Sequence, residues 1–276
     1  MAGFLSGIVS VVGYGYFVAM FIAYYAFAFP PDFLPALPSG LAAYLYPYSM
    51  FDAAGGAASS TAAGVAIDGA LMLAFGVAHS LFARTSVKRA MHIPVEYERS
   101  FYVLQSSALL HIQMKFWVDF GGGAGTIWRF APGSGAATAA CAGAAAGFLF
   151  CLTATLALDH FRLVGLSQGF GVDLNKTFGL APKADGGDAN GVVARWHYGI
   201  VAHPIMSGMM LLCVSTPVMT LPRLLFGAGN ILYMYVAVTR YEEPQLEREM
   251  GAGYSRYLAS VPRFCPLFPA AKAKQQ

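Results

Sequence analysis

The sequence predicts an all-α integral membrane protein with about six transmembrane helices, the last two a tight helical hairpin followed by a cytoplasmic C-terminal tail. Three observations carry that expectation. Hydrophobic residues make up 57% of the chain and charged residues only 11%, against a quarter or so in soluble domains. The mean hydropathy is +0.55. Apolar windows of the length a helix needs to cross hydrocarbon, about 20 residues, recur from one end of the chain to the other.

The windows fall at about residues 4–29, 62–83, 100–120 and 136–158. The first is longer than the core of a signal peptide and lacks a basic start, so it reads as a retained span. The fourth contains "AATAACAGAAAGFLF", residues 136–150, whose small side chains allow helices to approach closely. Windows at 198–218 and 222–240 follow, separated by "TLP" and punctuated by Pro217 and Pro222, which predicts the hairpin. No repeat of 20–50 residues is visible, so neither a solenoid nor an inverted-repeat transporter is suggested, and residues 1–276 are expected to form one integral membrane domain.

Orientation follows from charge. The segment 30–61 has no lysine or arginine, whereas 84–99 carries Arg84, Lys88, Arg89 and Arg99, and the tail beyond Tyr241 is basic. The positive-inside rule therefore puts both termini in the cytoplasm. The loop 159–197, with Arg162, Lys176, Lys183 and Arg195, falls on the same side, and the sequon at Asn175 with it, unglycosylated. Lys115 and Arg129 run against this pattern.

The polar residues are distributed unevenly. His79 and Arg84 close the second span, Glu98 and Arg99 open the third, and Asp159, His160 and Arg162 close the fourth. His197 and His203 open the fifth, and Arg240, Glu242 and Glu243 close the sixth. All lie at the end read as cytoplasmic, which argues for a pocket there. Arg84, Lys88 and Arg89 have a plain reading as anchors that snorkel to the headgroups, and paired acids often cap a helix end. His203 is harder to explain that way: it sits inside a span directly before Pro204, where a broken helix exposes backbone groups to a polar ligand.

Several function classes are excluded. A net charge of +3 gives no basic field for nucleic acid. The four cysteines, Cys141, Cys151, Cys213 and Cys265, are far apart with no CxxC and no histidine at metal spacing, so they read as reduced packing residues and no metal is expected. The chain has no Walker A sequence, no HExxH and no GxSxG, and "GGGAG" at 121 is a lone glycine cluster. Any nucleotide is held by helices.

In the C-terminal third, "VAHPIMSG" at 201–208, a hydrophobic hairpin, and "RYEEPQLEREMGAGYSRYLASVPRFCP" at 240–266 follow in order. This resembles the membrane methyltransferases typified by isoprenylcysteine carboxyl methyltransferase, with an Arg-His-Pro start, a hairpin, a Glu-Glu pair, and Gly-x-x-Tyr-x-x-Tyr before Val-Pro. "HSLFARTSVKR" at 79, "ERSFYVLQSSALL" at 98 and "DHFRLVGLSQ" at 159 resemble one branch of these enzymes, the methanethiol S-methyltransferases that make dimethyl sulfide. Two positions depart from the pattern: Ala202 replaces the arginine, and Met206 replaces an aromatic residue.

The resemblance implies S-adenosylmethionine as cofactor, a small thiol as substrate, and an active site facing the cytoplasm. Residues 198–268 would bind the cofactor through His203, Pro204, Glu242, Glu243 and Tyr254, with Arg195, His197 or Arg240 replacing the missing charge. Residues 79–197 would form the substrate side. A thiol reacts as its thiolate, so a base is needed, and His79, Asp159 and His160 are the candidates. Glu98 and Arg99 read as an ion pair orienting the pocket. Three other readings stay open: a carboxyl methyltransferase for prenylated cysteine, a sterol-reductase-like enzyme using NADPH, and a non-enzymatic membrane adaptor.

Overall fold

The computed structural model describes residues 2–33, 39–40, 44, 50, 55–121, 125–179 and 196–270. Helix α1 spans Ala2–Ala28. Helix α2 (Thr61–Ala83) starts where the Ser60 hydroxyl accepts from the Ala63 amide, satisfying one of the orphan donors of its first turn. A short α3 (Thr85–Ala90) leads through Pro94 into α4 (Val95–Phe116). Helix α5 (Gly135–Leu158) is capped in the same way by Ser134, and the short helices α6 (His160–Leu163), α7 (Leu166–Phe170) and α8 (Leu174–Thr177) follow. The C-terminal part comprises α9 (His197–Ile200), α10 (Pro204–Val214), α11 (Leu221–Ala237), α12 (Glu243–Met250) and α13 (Ala252–Ser260).

Among the described residues, four helical stretches are long and apolar enough to cross a membrane: Gly3–Ala28, Thr61–Ala83, Gly135–Leu158 and Leu221–Met250. The window expected at 100–120 is a helix that begins earlier and carries Glu96, Glu98, Arg99 and Lys115. The window expected at 198–218 is divided. Residues Val201–His203 interrupt it, so α9 has four residues and α10 eleven. The reversal before α11 lies just ahead of "TLP". A strand, Val218–Thr220, pairs antiparallel with Thr126–Arg129, and Pro222 occupies the first turn of α11, where its missing amide is harmless. The Asn175 side chain is buried, leaving no room for a glycan.

The apolar core lies where α1 and α4 end and α11 begins. Phe27, Trp117 and Phe226 meet edge to face with centroids 5.4 to 5.8 Å apart, each pair contributing about 0.5–1.5 kcal/mol beyond simple burial. Helices α5 and α10 pack backbone to backbone. A Cβ on Gly208 would come within 2.5 Å of the Gly147 carbonyl, and one on Gly147 within 2.7 Å of the Gly208 carbonyl. The small-residue stripe of α5 thus brings the start of α10 against the end of α5. With this apolar lock at one end, the other end gathers the close of α2, α5 and α11 and the start of α4 and α10.

Candidate functional site

The C-terminal half of this end is organised around Glu243. Pro244 would clash with the carbonyl of Arg240 in a regular helix, and the backbone widens into a π turn at Val238–Glu242 one turn earlier. The following Glu243 side chain is buried, and its Oε1 accepts from His203 Nε2 at 3.2 Å and from Arg263 Nε at 2.8 Å. The other ring nitrogen, His203 Nδ1, faces Glu242 Oε1 at 3.6 Å, and the Glu242 side chain is half exposed. The tail is fixed by backbone. Ala202 N–H donates to the Pro262 carbonyl (2.7 Å) and His203 N–H to that of Arg263 (3.0 Å). Tyr254, Tyr257, Leu258 and Val261 bury themselves against Ala202.

Two polar groups here are uncommitted among the described residues. Tyr254 is buried with no partner for its hydroxyl. Burial, reinforced by the Glu243 and Glu242 carboxylates, pushes its pKa up, so it stays a neutral donor. Arg263 uses only Nε, and its bond to Glu243 raises a pKa already beyond titration.

The substrate-side residues sit in different surroundings. His79 is held through both nitrogens, by the Ser106 hydroxyl at 3.0 Å and the Tyr102 hydroxyl at 2.7 Å, with Phe75 stacked on its ring. Arg99 Nε donates to the Leu163 carbonyl, and its guanidinium lies over the Tyr102 ring, 5.2 Å from the centroid. His160 is also bonded at both nitrogens, to Tyr14 (3.0 Å) and Thr155 (2.8 Å), and burial lowers its pKa against the pull of Asp159. The Asp159 carboxylate caps α6 by accepting from the Arg162 amide at 2.9 Å. Arg99, Asp159, Arg162 and Gln168 line one open cleft of about 300 Å³ with Leu158 and Leu163.

The expected Glu98–Arg99 ion pair does not form. Glu98 pairs with Lys88 at 3.0 Å, because neighbours on a helix point about 100° apart. His197 bonds Thr153 at 2.9 Å rather than joining Glu243, and Arg240 is exposed with no ion pair among the described residues. Pro204 starts α10 beside His203, and Arg195 lies outside the described residues. The two halves adjoin: Arg84 lies over the Tyr241 ring at 5.7 Å, and Ser80 bonds Tyr233 at 2.9 Å. Arg263, Tyr102 and Gln168 were not singled out in the sequence. Arg263 had a signal, as a lone charge in the apolar run "VPRFCP".

Curated relatives are similar over most of the chain. Methanethiol S-methyltransferase 2 of Bradyrhizobium diazoefficiens is 34% identical over 203 residues, 71% of each protein. Methanethiol S-methyltransferases of Mycobacterium tuberculosis and Crocosphaera subtropica are each 32% identical, over 73% and 72% of this chain and 78% and 74% of their own length. No protein-family model and no solved structure matches the chain.

Proposed function

The chain belongs to the methanethiol S-methyltransferase family, and from that membership we propose that it methylates methanethiol to dimethyl sulfide with S-adenosylmethionine as donor. The observation that carries the reading is the adjacency of two unlike constellations at one end of the bundle: the Glu243 knot and the cleft of Arg99 and Asp159.

The knot suits the donor chemically. Glu243 Oε2 has no hydrogen bond among the described residues and can accept from ribose hydroxyls or an ammonium group, and the Tyr254 hydroxyl is a buried donor in want of an acceptor. His203 and Pro204 set the break that lets the tail approach, and Glu242 adds a second carboxylate. When bound, S-adenosylmethionine supplies an electrophilic methyl group on a sulfonium. His197 and Arg240 take a peripheral place in this reading.

The cleft suits a thiolate. Arg99 is a half-buried cation with no carboxylate within ion-pair distance among the described residues, so a small anion beside it gains more than in water. Such a cation favours ionisation of the thiol, whose proton passes to Asp159, a carboxylate on the same cleft, and on to solvent through its open side. His79 and His160 act as positioning residues, since both nitrogens of each ring already have partners; His79 holds the Tyr102 ring under Arg99. Glu98 anchors Lys88. A volatile apolar product leaves without charge into the surrounding lipid.

In the same reading the chain crosses six times, α4 and the α9–α10 segment completing the set, with both termini and the site on the cytoplasmic side. Single cysteines at Ala57 and Phe268 are expected to label from opposite sides, and labelling from one side would overturn the topology.

The activity is tested by headspace gas chromatography of membranes given methanethiol and S-adenosylmethionine, beside a farnesylated cysteine substrate. Dimethyl sulfide is expected. Its absence together with methylation of the prenylated substrate would move the assignment to the carboxyl methyltransferases.

A further inference from the structure

Position 202 lacks the arginine of the resembling pattern, and Ala202 is buried, only 4% exposed, with no space for a long cation. Across the backbone pair from residues 202 and 203 runs the tail segment 262–263, held by the hydrogen bonds of 2.7 and 3.0 Å. From there the Arg263 side chain reaches Glu243, the same carboxylate that His203 holds. Resting on S-adenosylmethionine as the donor, we propose that Arg263 supplies from the tail the cation that position 202 lacks, and that its terminal amino groups bind the carboxylate of the donor's methionine part.

The geometry fits this role. A guanidinium has five N–H donors in a planar fork, and committing Nε to Glu243 fixes the plane while both terminal nitrogens stay free of hydrogen bonds among the described residues. The side chain is 37% exposed, so those nitrogens face an accessible space while Glu243, at 6%, holds the buried edge. Electrostatics requires a cation at this spot. Glu242 and Glu243 stand together, and they would repel a ligand carboxylate unless a fixed positive charge met it. Among the described residues, His197 bonds Thr153 instead, and Arg240 is exposed with no ion pair.

The test is calorimetric binding to the detergent-purified full chain of two ligands, S-adenosylmethionine and its decarboxylated form, which keeps the sulfonium, ribose and amine. Losing a charged hydrogen-bond donor, Arg263→Gln is expected to weaken S-adenosylmethionine by about tenfold or more and to leave the decarboxylated ligand within about twofold of the parent. Arg263→Lys keeps a charge for Glu243 but loses the fork, and is expected to show a smaller loss, again confined to the carboxylate-bearing ligand. It also serves if the glutamine variant does not fold. Equal losses for both ligands would mean that Arg263 acts only by holding Glu243, and would overturn the proposal. So would an unchanged affinity in Arg263→Gln, with selective loss in Arg240→Gln naming the residue responsible. A parent chain that binds neither ligand would overturn the donor assignment itself.

Discussion

Arg263 in the tail block and Arg99 both stand at one end of the bundle, yet among the described residues only Arg263 has a carboxylate within ion-pair distance. Around Glu243, one buried oxygen is shared by His203 and Arg263, and the charges nearly compensate before any ligand arrives. Around Arg99, the partners are a carbonyl and an aromatic ring, whose Tyr102 hydroxyl in turn bonds His79. A compensated knot can be rigid and still recognise a zwitterionic ligand by its unused valences. An uncompensated cation beside a cleft is instead poised for an anion that forms there. In the proposed reading the difference separates holding a donor from activating a nucleophile, and it can be pressed from both sides.

The largest effect is expected at the knot. Glu243→Ala leaves His203 and Arg263 without their common acceptor, and removing one member of a buried pair costs about 3 kcal/mol or more. That cost should appear as a reduced thermal midpoint. The lost carboxylate acceptor for the ribose hydroxyls or ammonium group is expected separately to lower S-adenosylmethionine affinity by about a hundredfold, read by calorimetry. Binding like the parent's would show that the donor sits elsewhere.

An effect of another kind, on rate with the fold left intact, is expected at the cleft. Removing Arg99's charge with Arg99→Ala is expected to lower kcat by about 10²–10³-fold, the usual cost of losing a preorganised donor beside developing charge, with donor affinity within about twofold. Arg99→Lys should recover part of the rate. A fall in donor affinity with kcat unchanged would erase the distinction between the two regions.

The smallest effect concerns pH. Burial lowers the His160 pKa in the fold below the unfolded value of about 6.5, so the fold favours the neutral ring. Its contribution is complete above the unfolded pKa and is lost as pH falls through that value toward the folded one. The thermal midpoint is expected to decline by a few degrees on acidification across that window, and less so in His160→Gln. An identical decline in that variant would assign the sensitivity to another group.

Much of this was legible along the chain. The apolar windows at 62–83 and 136–158 reappear within a residue as α2 and α5, because burying a run of apolar side chains in hydrocarbon requires an internally bonded helix. His203, Glu242 and Glu243 were visible because charge is rare in such a sequence and these residues stand in a recognisable order. The Glu98–Arg99 pair was misread because adjacency along a helix is not adjacency in space.

By itself, then, the sequence determined the class of protein, the long apolar helices and the end at which polar residues collect, since these depend on local composition and on a solvent that tolerates no unpaired backbone. Only the tertiary structure decided who partners whom: that Glu243 answers to Arg263, 20 residues away, that Arg99 meets no carboxylate among the described residues, and that His79 and His160 spend both ring nitrogens on hydroxyls. Those pairings depend on distances of about 3 Å between groups brought together from different parts of the chain, which no local property of the sequence specifies.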